Sequence, residues 1–348
     1  MLELDVYKNR RVLVTGHTGF KGSWLCLWLT KLGAKVYGYA LPEENGPAAY
    51  SALEIRNCLA DEALADLRNI EELSTFAEKV SPEIIFHLGA QALVRKSFIQ
   101  PLETIQTNIL GTAHILEILR KKKVPAVIVT SDKCYENLET GKSYVETDPM
   151  GGYDIYSMSK GSCELLTASY RRSFDLNVAS ARAGNVIGGG DFAEDRILPD
   201  CVRSARAKRP VLLRNPDSVR PWQHVLDPIS GYLTLGAQLL GPDSIGFREG
   251  WNFGPELTST ITVRKLVETF FEYYGPGEIQ IDQEKQPHEA KLLHLDINKA
   301  KNRLRWAPRW NVQEAVSETS LWYRNFDSGG MMKNYSLDQI SRYERSEK

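Results

Sequence analysis

A tyrosine and a lysine stand four residues apart in the segment Tyr156-Ser-Met-Ser-Lys160. At that spacing the two side chains lie on one face of a helix. A neighbouring ammonium stabilises a phenolate, so a side chain whose free pKa is about 10 can act as a base near neutral pH. The pair suits removal of a proton from a sugar or alcohol hydroxyl, with Ser131 as the hydrogen-bond partner of that hydroxyl. A surface pair on a helix is the alternative interpretation.

A second acid–base pair, Asp132 and Lys133, directly follows Ser131. An enzyme that only oxidises an alcohol does not need it. Elimination of water beside a carbonyl, however, requires an acid for the departing hydroxyl and a base for the adjacent carbon. Asp132 and Lys133 suit these roles if burial raises one pKa and depresses the other. A charged pair in solvent is the alternative.

Three glycines, Gly16, Gly19 and Gly22, follow an apolar run at 11–15. Gly16 permits a sharp turn, Gly19 lets the backbone approach a pyrophosphate, and Gly22 allows a helix to pack closely on a strand. The spacing is G-x-x-G-x-x-G, whereas the usual dinucleotide fingerprint is G-x-G-x-x-G. The turn predicts a dinucleotide site that supplies a hydride acceptor, and a purely structural turn is the alternative.

The strand predicted at 34–40 ends without an acidic residue for an adenine ribose and without an arginine for a 2′-phosphate. We therefore expect NAD, with NADP as the alternative. Asp66 and Leu67 are the predicted contacts of the adenine, although Asp66 also suits a helix cap.

Strands predicted at 11–15, 34–40, 84–88, 126–130 and 177–182 alternate with helices at 23–32, at 104–122 and around Tyr156. This alternation predicts an α/β fold, a Rossmann-type doubly wound parallel sheet, in which ligands bind at the carboxyl ends of the strands. After residue 183 the pattern weakens, which indicates a smaller mixed α/β substrate-binding lobe. The predicted boundaries are 1–182 and 225–254 for the dinucleotide domain, 183–224 and 255–330 for the lobe, and 331–348 for a frayed polar tail.

Composition narrows the class of protein. The net charge of −1 over 348 residues gives no electrostatic case for nucleic acid or an anionic membrane. No apolar run reaches the ~18 residues that span a bilayer, and the start has no features of a signal peptide. Five scattered cysteines favour a reducing, cytoplasmic setting, and neither cysteines nor histidines have the spacing of a metal site.

Several motifs resemble the extended short-chain dehydrogenase/reductase superfamily: Thr15-Gly-His-Thr-Gly-Phe-Lys-Gly22, the Ser131, Tyr156 and Lys160 set, and Arg182-Ala-Gly-Asn-Val-Ile-Gly-Gly-Gly-Asp191. Within it the chain is similar to the nucleotide-sugar 4,6-dehydratases. The Asp132-Lys133 pair, Phe86-His-Leu-Gly-Ala-Gln-Ala-Leu-Val-Arg95 and Arg220-Pro-Trp-Gln-His-Val225 look closest to the CDP-glucose branch. The dTDP-glucose and GDP-mannose branches carry Asp-Glu where this chain has Asp-Lys.

The resemblance implies dehydration of CDP-glucose to CDP-4-keto-6-deoxyglucose with bound NAD. Tyr156 would take the proton of the C4 hydroxyl, Lys133 the proton at C5, and Asp132 would protonate the leaving C6 hydroxyl. The alternatives are a dTDP-glucose or GDP-mannose dehydratase, a nucleotide-sugar 4-epimerase, and a non-catalytic cofactor-binding protein.

The resemblance also implies binding positions and an assembly. The expected cofactor contacts are Gly16, Thr18, Gly19, Phe20, Gly22, Asp66, Leu67, Gly89, Ala90, Thr107, Thr130, Tyr156 and Lys160. The expected substrate contacts are Asn185, Leu198, Arg214, Arg220 and His288. A homodimer or homotetramer is expected through the helices around Thr104 and Tyr156.

Overall fold

The computed structural model describes residues 4–43, 46–138, 141–282 and 293–346. Its strands in chain order are β1 (Arg11–Thr15), β2 (Lys35–Ala40), β3 (Asp61–Leu64), β4 (Ile84–His87), β5 (Ala126–Val129), β6 (Ser143–Tyr144), β7 (Val178–Arg182), β8 (Val186–Ile187), β9 (Val211–Leu213), β10 (Val219–Pro221), β11 (Gln223–His224), β12 (Gly250–Asn252), β13 (Thr260–Thr262), β14 (Ile279–Ile281) and β15 (His294–Leu295). In this described part, seven parallel strands form the central sheet in the order β3-β2-β1-β4-β5-β7-β12. The predicted doubly wound sheet is confirmed.

The α-helices are α1 (Phe20–Lys31), α2 (Ala49–Ala52), α3 (Ile70–Val80), α4 (Val94–Ile99), α5 (Pro101–Ile105), α6 (Gly111–Lys122), α7 (Ile155–Phe174), α8 (Ile197–Arg206), α9 (Leu226–Leu240), α10 (Val263–Tyr274), α11 (Val312–Asp327) and α12 (Met332–Arg345). Short 3₁₀ turns span Asp5–Tyr7, Ile55–Cys58, Asp132–Cys134, Ser244–Phe247 and Leu257–Ser259, and π-helical turns span Gln106–Leu110 and Ala300–Leu304. Within the described ranges, no helix is long and apolar enough to cross a membrane.

Both faces of the sheet are buried, which explains the continuous apolar runs of its strands. On β1, Val12 and Val14 belong to the core shared with α1 and α9, whereas Leu13 belongs to a second core shared with α3 and α6. Successive strand residues point to opposite faces, so a strand covered by helices on both sides needs an apolar residue at every position.

The helix predicted at 104–122 is interrupted. A π-helical turn, Gln106–Leu110, separates α5 from α6. At its centre the Asn108 side chain points inward, where it donates to Gln91 O at 3.0 Å and to Ser159 Oγ at 2.8 Å and accepts from Gln91 N at 2.8 Å. A π-bulge of this kind redirects one side chain without ending the helix. Here it joins the loop after β4 to α7.

Beyond residue 183 the strands form small pairs, β8 with β11, β9 with β14 and β10 with β13. Strand β12 instead returns to the central sheet and pairs with β7. One continuous apolar core contains residues from the central sheet and from this later region, such as Val14, Leu213 and Phe270. The numerical boundaries between domain and lobe stay a prediction.

The frayed tail expected at 331–348 is wrong for most of its length. Residues 332–345 form α12, whose Met332, Ile340 and Tyr343 are buried in the core. The buried positions recur at helical spacing but form a narrow stripe in a polar segment, so composition hides them. Trp28 Nε1 donates to Glu344 at 2.9 Å and ties α12 to α1, which carries the glycine turn.

Candidate active site

The glycine turn links β1 to α1. Gly16 has φ +75°, and a Cβ there would lie 2.7 Å from Gly89 N, while a Cβ on Gly22 would lie 2.0 Å from Gly16 O. The packing roles predicted for these two glycines are therefore confirmed. Gly19 has nothing closer to its Cβ position than Gly16 O at 3.4 Å, and as N-cap of α1 it supplies no capping side chain. The first N–H groups of α1 are thus left for an anion, and the turn fits a dinucleotide diphosphate.

Neighbouring segments hold the residues around the glycine turn in place. Thr18 Oγ1 donates to Leu41 O at 2.9 Å, and a Cβ on Gly89 would lie 2.4 Å from Leu67 Cδ1. Phe20 packs at Gly188, where an added Cβ would lie 3.0 Å from its ring. The structure thus gives each of the predicted contacts Thr18, Phe20, Leu67 and Gly89 a packed or hydrogen-bonded neighbour, and Gly89 lies directly against Gly16 of the turn.

Asp66 is not a helix cap, because Asn69 caps α3 through a bond from Glu72 N. The Asp66 carboxylate instead holds Arg68, with Nη2 to Oδ2 at 2.5 Å, and this hydrogen bond lowers the pKa of Asp66. The carboxylate thus fixes the turn after β3 and is partly exposed beside it.

The remaining predicted cofactor residues lie along the strand ends. Ala90 follows β4, and Thr107 lies in the π-helical turn; both are half-buried. Thr130 is buried after β5, and its hydroxyl donates to Glu164 Oε1 at 2.5 Å. The Thr130 hydroxyl is therefore engaged within the protein.

An acidic residue does lie beside the glycine turn, although β2 ends without one. It is Glu62 of β3, which bonds His17 Nε2 at 2.8 Å and accepts from the Tyr50 hydroxyl. His17 packs over Gly38, where a Cβ would lie 2.5 Å from the imidazole ring. Sequence reasoning missed this cluster, and its signal was a glycine inside a strand, which marks a close approach of another group.

Ser131, Tyr156 and Lys160 meet at the carboxyl end of β5. Tyr156 and Lys160 lie in the first turns of α7, which is capped by Asp154 through a bond from Ser157 N at 2.9 Å. All three site residues are buried, the Lys160 ammonium lies 6.0 Å from the centroid of the Tyr156 ring, and Ser131 is close enough to Tyr156 to act on its pKa. The structure therefore brings the predicted set together.

We expected the Lys160 ammonium to lower the pKa of Tyr156. For the protein groups by themselves this prediction is wrong. Burial raises the pKa of Tyr156 to about 12, and the neighbouring Ser131 hydroxyl opposes this only in part. Burial also lowers the pKa of Lys160. Because both side chains are enclosed, desolvation disfavours the charged form of each. A phenolate at neutral pH needs more stabilisation than these protein groups supply.

Asp132 is buried within the site. Its carboxylate accepts from Ser131 Oγ at 2.8 Å, and only 5% of the residue is exposed. This burial rules out the solvated pair as an interpretation of Asp132. Lys133 is half-buried in the 3₁₀ turn Asp132–Cys134, and across the described ranges its ammonium has no ion-pair partner.

Lys21 is a site residue that sequence reasoning missed. Burial of its ammonium lowers the pKa of Lys21 to about 8; the charges of Arg196 and Lys160 lower it further, while Asp132 and Asp191 oppose. The signal was a lysine in the first turn of α1, where the helix dipole disfavours a cation. Lys21 thus adds positive charge beside Asp132.

The predicted substrate residues belong to the part of the chain after β7. Asn185, between β7 and β8, adopts a left-handed conformation with φ +52°. Leu198 is buried in α8, Arg220 is buried in β10, and Arg214 pairs with Asp195 at 2.8 Å. His288 lies outside the described residues.

The amino-acid sequence matches the model of a known protein family. The family model described as GDP-mannose 4,6 dehydratase matches residues 13–319. The chain belongs to this family. It is 44% identical to the CDP-glucose 4,6-dehydratase of Salmonella typhimurium, an alignment that covers 99% of this chain and 98% of the relative.

Two solved structures show how widely the fold is shared. The dTDP-glucose 4,6-dehydratase of Bacillus anthracis, solved with NAD, has a TM-score of 0.78 at 22% identity, covering 92% of this chain and 99% of its own. The UDP-glucose 4-epimerase of Thermotoga maritima, solved with UDP-glucose, has a TM-score of 0.76 at 23% identity, covering 90% and 99%. Because a dehydratase and an epimerase fit almost equally well, the fold alone does not choose between the two reactions.

Proposed function

We propose that this chain is an NAD-dependent lyase that converts CDP-glucose to CDP-4-keto-6-deoxyglucose and water. The observation that carries the proposal is the buried carboxyl group of Asp132 beside Ser131, with the amino group of Lys133 next to it in the chain. These groups supply the acid and the base that an elimination requires and a simple oxidation does not. The relative at 44% identity supports both the reaction and the CDP-sugar substrate.

The first chemical task falls to Ser131, Tyr156 and Lys160. Tyr156 accepts the proton of the C4 hydroxyl while Ser131 holds that hydroxyl in place. Lys160 would hold the ribose of the cofactor, and its ammonium places a positive charge near the phenol. NAD⁺ bound at the glycine turn supplies the acceptor of the C4 hydride and the donor that returns it to C6.

The second task is the elimination. The ketone at C4 acidifies the proton at C5, which Lys133 removes as general base. Asp132, in its protonated form, gives its proton to the C6 hydroxyl, which leaves as water and opens a C5–C6 double bond. Hydride addition at C6 and return of a proton to C5 complete the product. The hydrogen bond from Ser131 fixes the direction in which Asp132 points.

The nucleotide end of the substrate lies on the later part of the chain. Arg220 suits the diphosphate, because a planar guanidinium offers paired donors to phosphate oxygens. Asn185 is proposed to hold the diphosphate or the sugar, Leu198 to line the base pocket, and Arg214 to reach the nucleotide once it leaves Asp195. The His288 assignment stays a prediction.

The assembly is proposed to be a homodimer through α4, α5 and α7, with a homotetramer as the larger alternative. Exposed apolar side chains lie on these helices, namely Phe98, Ile99, Leu102 and Leu165. A second copy would cover them, since contiguous apolar surface favours association. Light scattering should give the mass of a dimer, and Leu102→Lys should yield monomers.

A cytoplasmic location is proposed because the five cysteines are free thiols.

A 4-epimerase is the second candidate, because an epimerase shares this fold. Purified protein incubated with NAD⁺ and CDP-, dTDP- or UDP-glucose tests the choice. We expect the 4-keto-6-deoxy product, followed by its absorbance in alkali, to form fastest from CDP-glucose. A 4-epimer with no 4-keto sugar would instead establish the epimerase. Lys160→Met serves as the inactive control.

A further inference from the structure

A buried glutamate stands one helical turn beyond Lys160, and the mechanism above does not use it. Glu164 of α7 is only 4% exposed. Its carboxylate accepts from Thr130 Oγ1 at 2.5 Å, from Ser180 Oγ at 2.6 Å and from Arg182 Nη2 at 2.7 Å. These bonds join the helix of Tyr156 and Lys160 to the ends of β5 and β7.

Arg182, the partner of Glu164, makes further hydrogen bonds of its own. Arg182 Nη1 donates to the Tyr135 hydroxyl at 2.6 Å and to Glu146 O at 3.1 Å, and Tyr135 in turn donates to Asn252 Oδ1 at 2.7 Å. A Cβ on Gly250 would lie 2.3 Å from Arg182 Nη2, so the glycine makes room for the guanidinium. The network thus reaches from β5 to β12 at the end of the sheet where the site lies.

We propose that the Glu164–Arg182 pair is a positioning pair, which fixes Ser131 against α7 and maintains the positive charge of Lys160. The proposal rests on the function proposed above, because it concerns the same Tyr156–Lys160 chemistry. Thr130 directly precedes Ser131, so its bond to Glu164 sets the distance between the end of β5 and α7. Neither Glu164 nor Arg182 is assigned contact with the substrate.

The groups that hydrogen-bond Glu164 keep its carboxyl group ionised. Burial alone would raise the pKa of Glu164, but the Arg182 guanidinium and the three hydrogen bonds bring it below its ordinary value. The resulting carboxylate raises the pKa of Lys160 and so opposes the burial that lowers it. A well-packed apolar pair is often as stable as a buried ion pair, so stability alone does not explain these two charges.

Other ionisable groups surround this pair and Lys160. Cys134 and Cys163 also raise the pKa of Lys160, whereas Glu164 is the charged neighbour on α7 that does so. The remaining groups that interact with Lys160 or Glu164 are Lys21 of α1, His87 of β4, Tyr135 after the 3₁₀ turn, Arg171 of α7 and Arg182 of β7. Glu164→Gln removes the charge of this neighbour with a side chain of the same shape, and Glu164 is not itself a predicted cofactor contact.

Glu164→Gln tests the charge. Lysine labelled with ¹³C at Cε is titrated by NMR in the protein without ligands, and Lys160→Met assigns the resonance. We expect the pKa of Lys160 to fall by about one unit, as for loss of a close opposite charge, with the alkaline limb of the pH–activity profile moving down equally. Glu117→Gln, in the partly exposed Glu117–Arg120 pair of α6, is the matched control and should change neither the Lys160 pKa nor the alkaline limb.

Two further variants separate charge from position. Thr130→Val keeps the carboxylate but removes its bond to β5, so we expect an unchanged Lys160 pKa and roughly tenfold lower kcat with little change in KM. Glu164→Asp keeps the charge at a shorter reach and should restore the pKa but not kcat. An unchanged Lys160 pKa in Glu164→Gln, or unchanged kcat in Thr130→Val, would overturn the proposal. The NMR titration uses no substrate, so its outcome is independent of which sugar nucleotide the enzyme accepts.

Discussion

The Asp132 carboxylate occupies the space that a side chain on Gly184 would need. A Cβ added to Gly184 would lie 2.0 Å from both Asp132 Cγ and Oδ2, closer than any real contact. Gly184 lies just after β7, so the end of one strand shapes the position of the acid at the end of its neighbour. In the proposed mechanism the elimination uses Asp132 and therefore depends on this contact, whereas the oxidation uses Tyr156 and does not.

Gly184→Ala should therefore separate the two halves of the reaction. The new methyl group displaces the Asp132 carboxylate, which is too short and too enclosed to move without cost. We expect at least a tenfold loss of dehydration, with the C4 oxidation step reduced less. Rapid-quench analysis of a single turnover, with the 4-keto-glucose and 4-keto-6-deoxyglucose nucleotides resolved, measures both. An equal loss of both steps would place Asp132 outside the elimination.

Lys133→Met should block water loss and leave part of the C4 oxidation. The substitution keeps the length of the side chain and removes the amine that is proposed to take the C5 proton. Exchange of the C5 hydrogen with heavy water, followed by NMR, should be lost in the variant. Lys121→Met, at an exposed position near the end of α6, is the control. Retained dehydration in Lys133→Met would remove lysine from the mechanism.

Gly38→Ala should weaken binding of NAD⁺. Its Cβ would lie 2.5 Å from the His17 ring, and His17 stands inside the glycine turn and is held by Glu62. Movement of His17 disturbs the backbone that faces the diphosphate, so we expect roughly a tenfold higher Kd by calorimetry. Gly246→Ala, where the added Cβ would meet only Arg303 Nη2 at 4.0 Å, should bind normally. Equal affinities for the two variants would show that His17 does not support the turn.

The free energy of unfolding should decrease as the pH falls from about 6.5 to about 3. Burial lowers the pKa of both His87 and His224 to about 3. An unfolded chain binds protons at these histidines throughout that interval while the folded chain does not, so the stability present above the unfolded pKa is lost on acidification. Each pKa unit corresponds to about 1.4 kcal/mol. Urea unfolding against pH should show a shallower decline for His224→Phe, and parallel curves would contradict the assignment.

Most of the fold could be predicted from the sequence, because strands that are buried on both faces of a parallel sheet appear in the sequence as continuous apolar runs. The central-sheet strands β1, β2, β4, β5 and β7 are short apolar runs in the sequence, and their boundaries differ from the predicted ones by at most one residue. Strand β3 is half-exposed and contains Asp61 and Glu62, so it gave no such signal. The break between α5 and α6 and the packing of α12 depend on single side chains that meet distant partners.

For the candidate site, too, some residues could be predicted from the sequence and others could not. Tyr156 and Lys160 were found from their four-residue spacing, and Ser131, Asp132 and Lys133 were found because they directly follow an apolar strand. Lys21, Glu62 and Glu164 were missed because their significance arises from neighbours that only folding brings near. The pKa of Tyr156 was predicted in the wrong direction because spacing reports the nearby lysine but not the extent of burial.

Hydrogen transfer within one sugar is the central claim, and isotope labelling tests it most directly. CDP-glucose carrying deuterium at C4 is converted in ordinary water, and the product is analysed by NMR and mass spectrometry. We predict one deuterium in the C6 methyl group of the 4-keto product, with a solvent proton at C5. Deuterium lost to solvent, or retained at C4 of an epimer, would contradict the account.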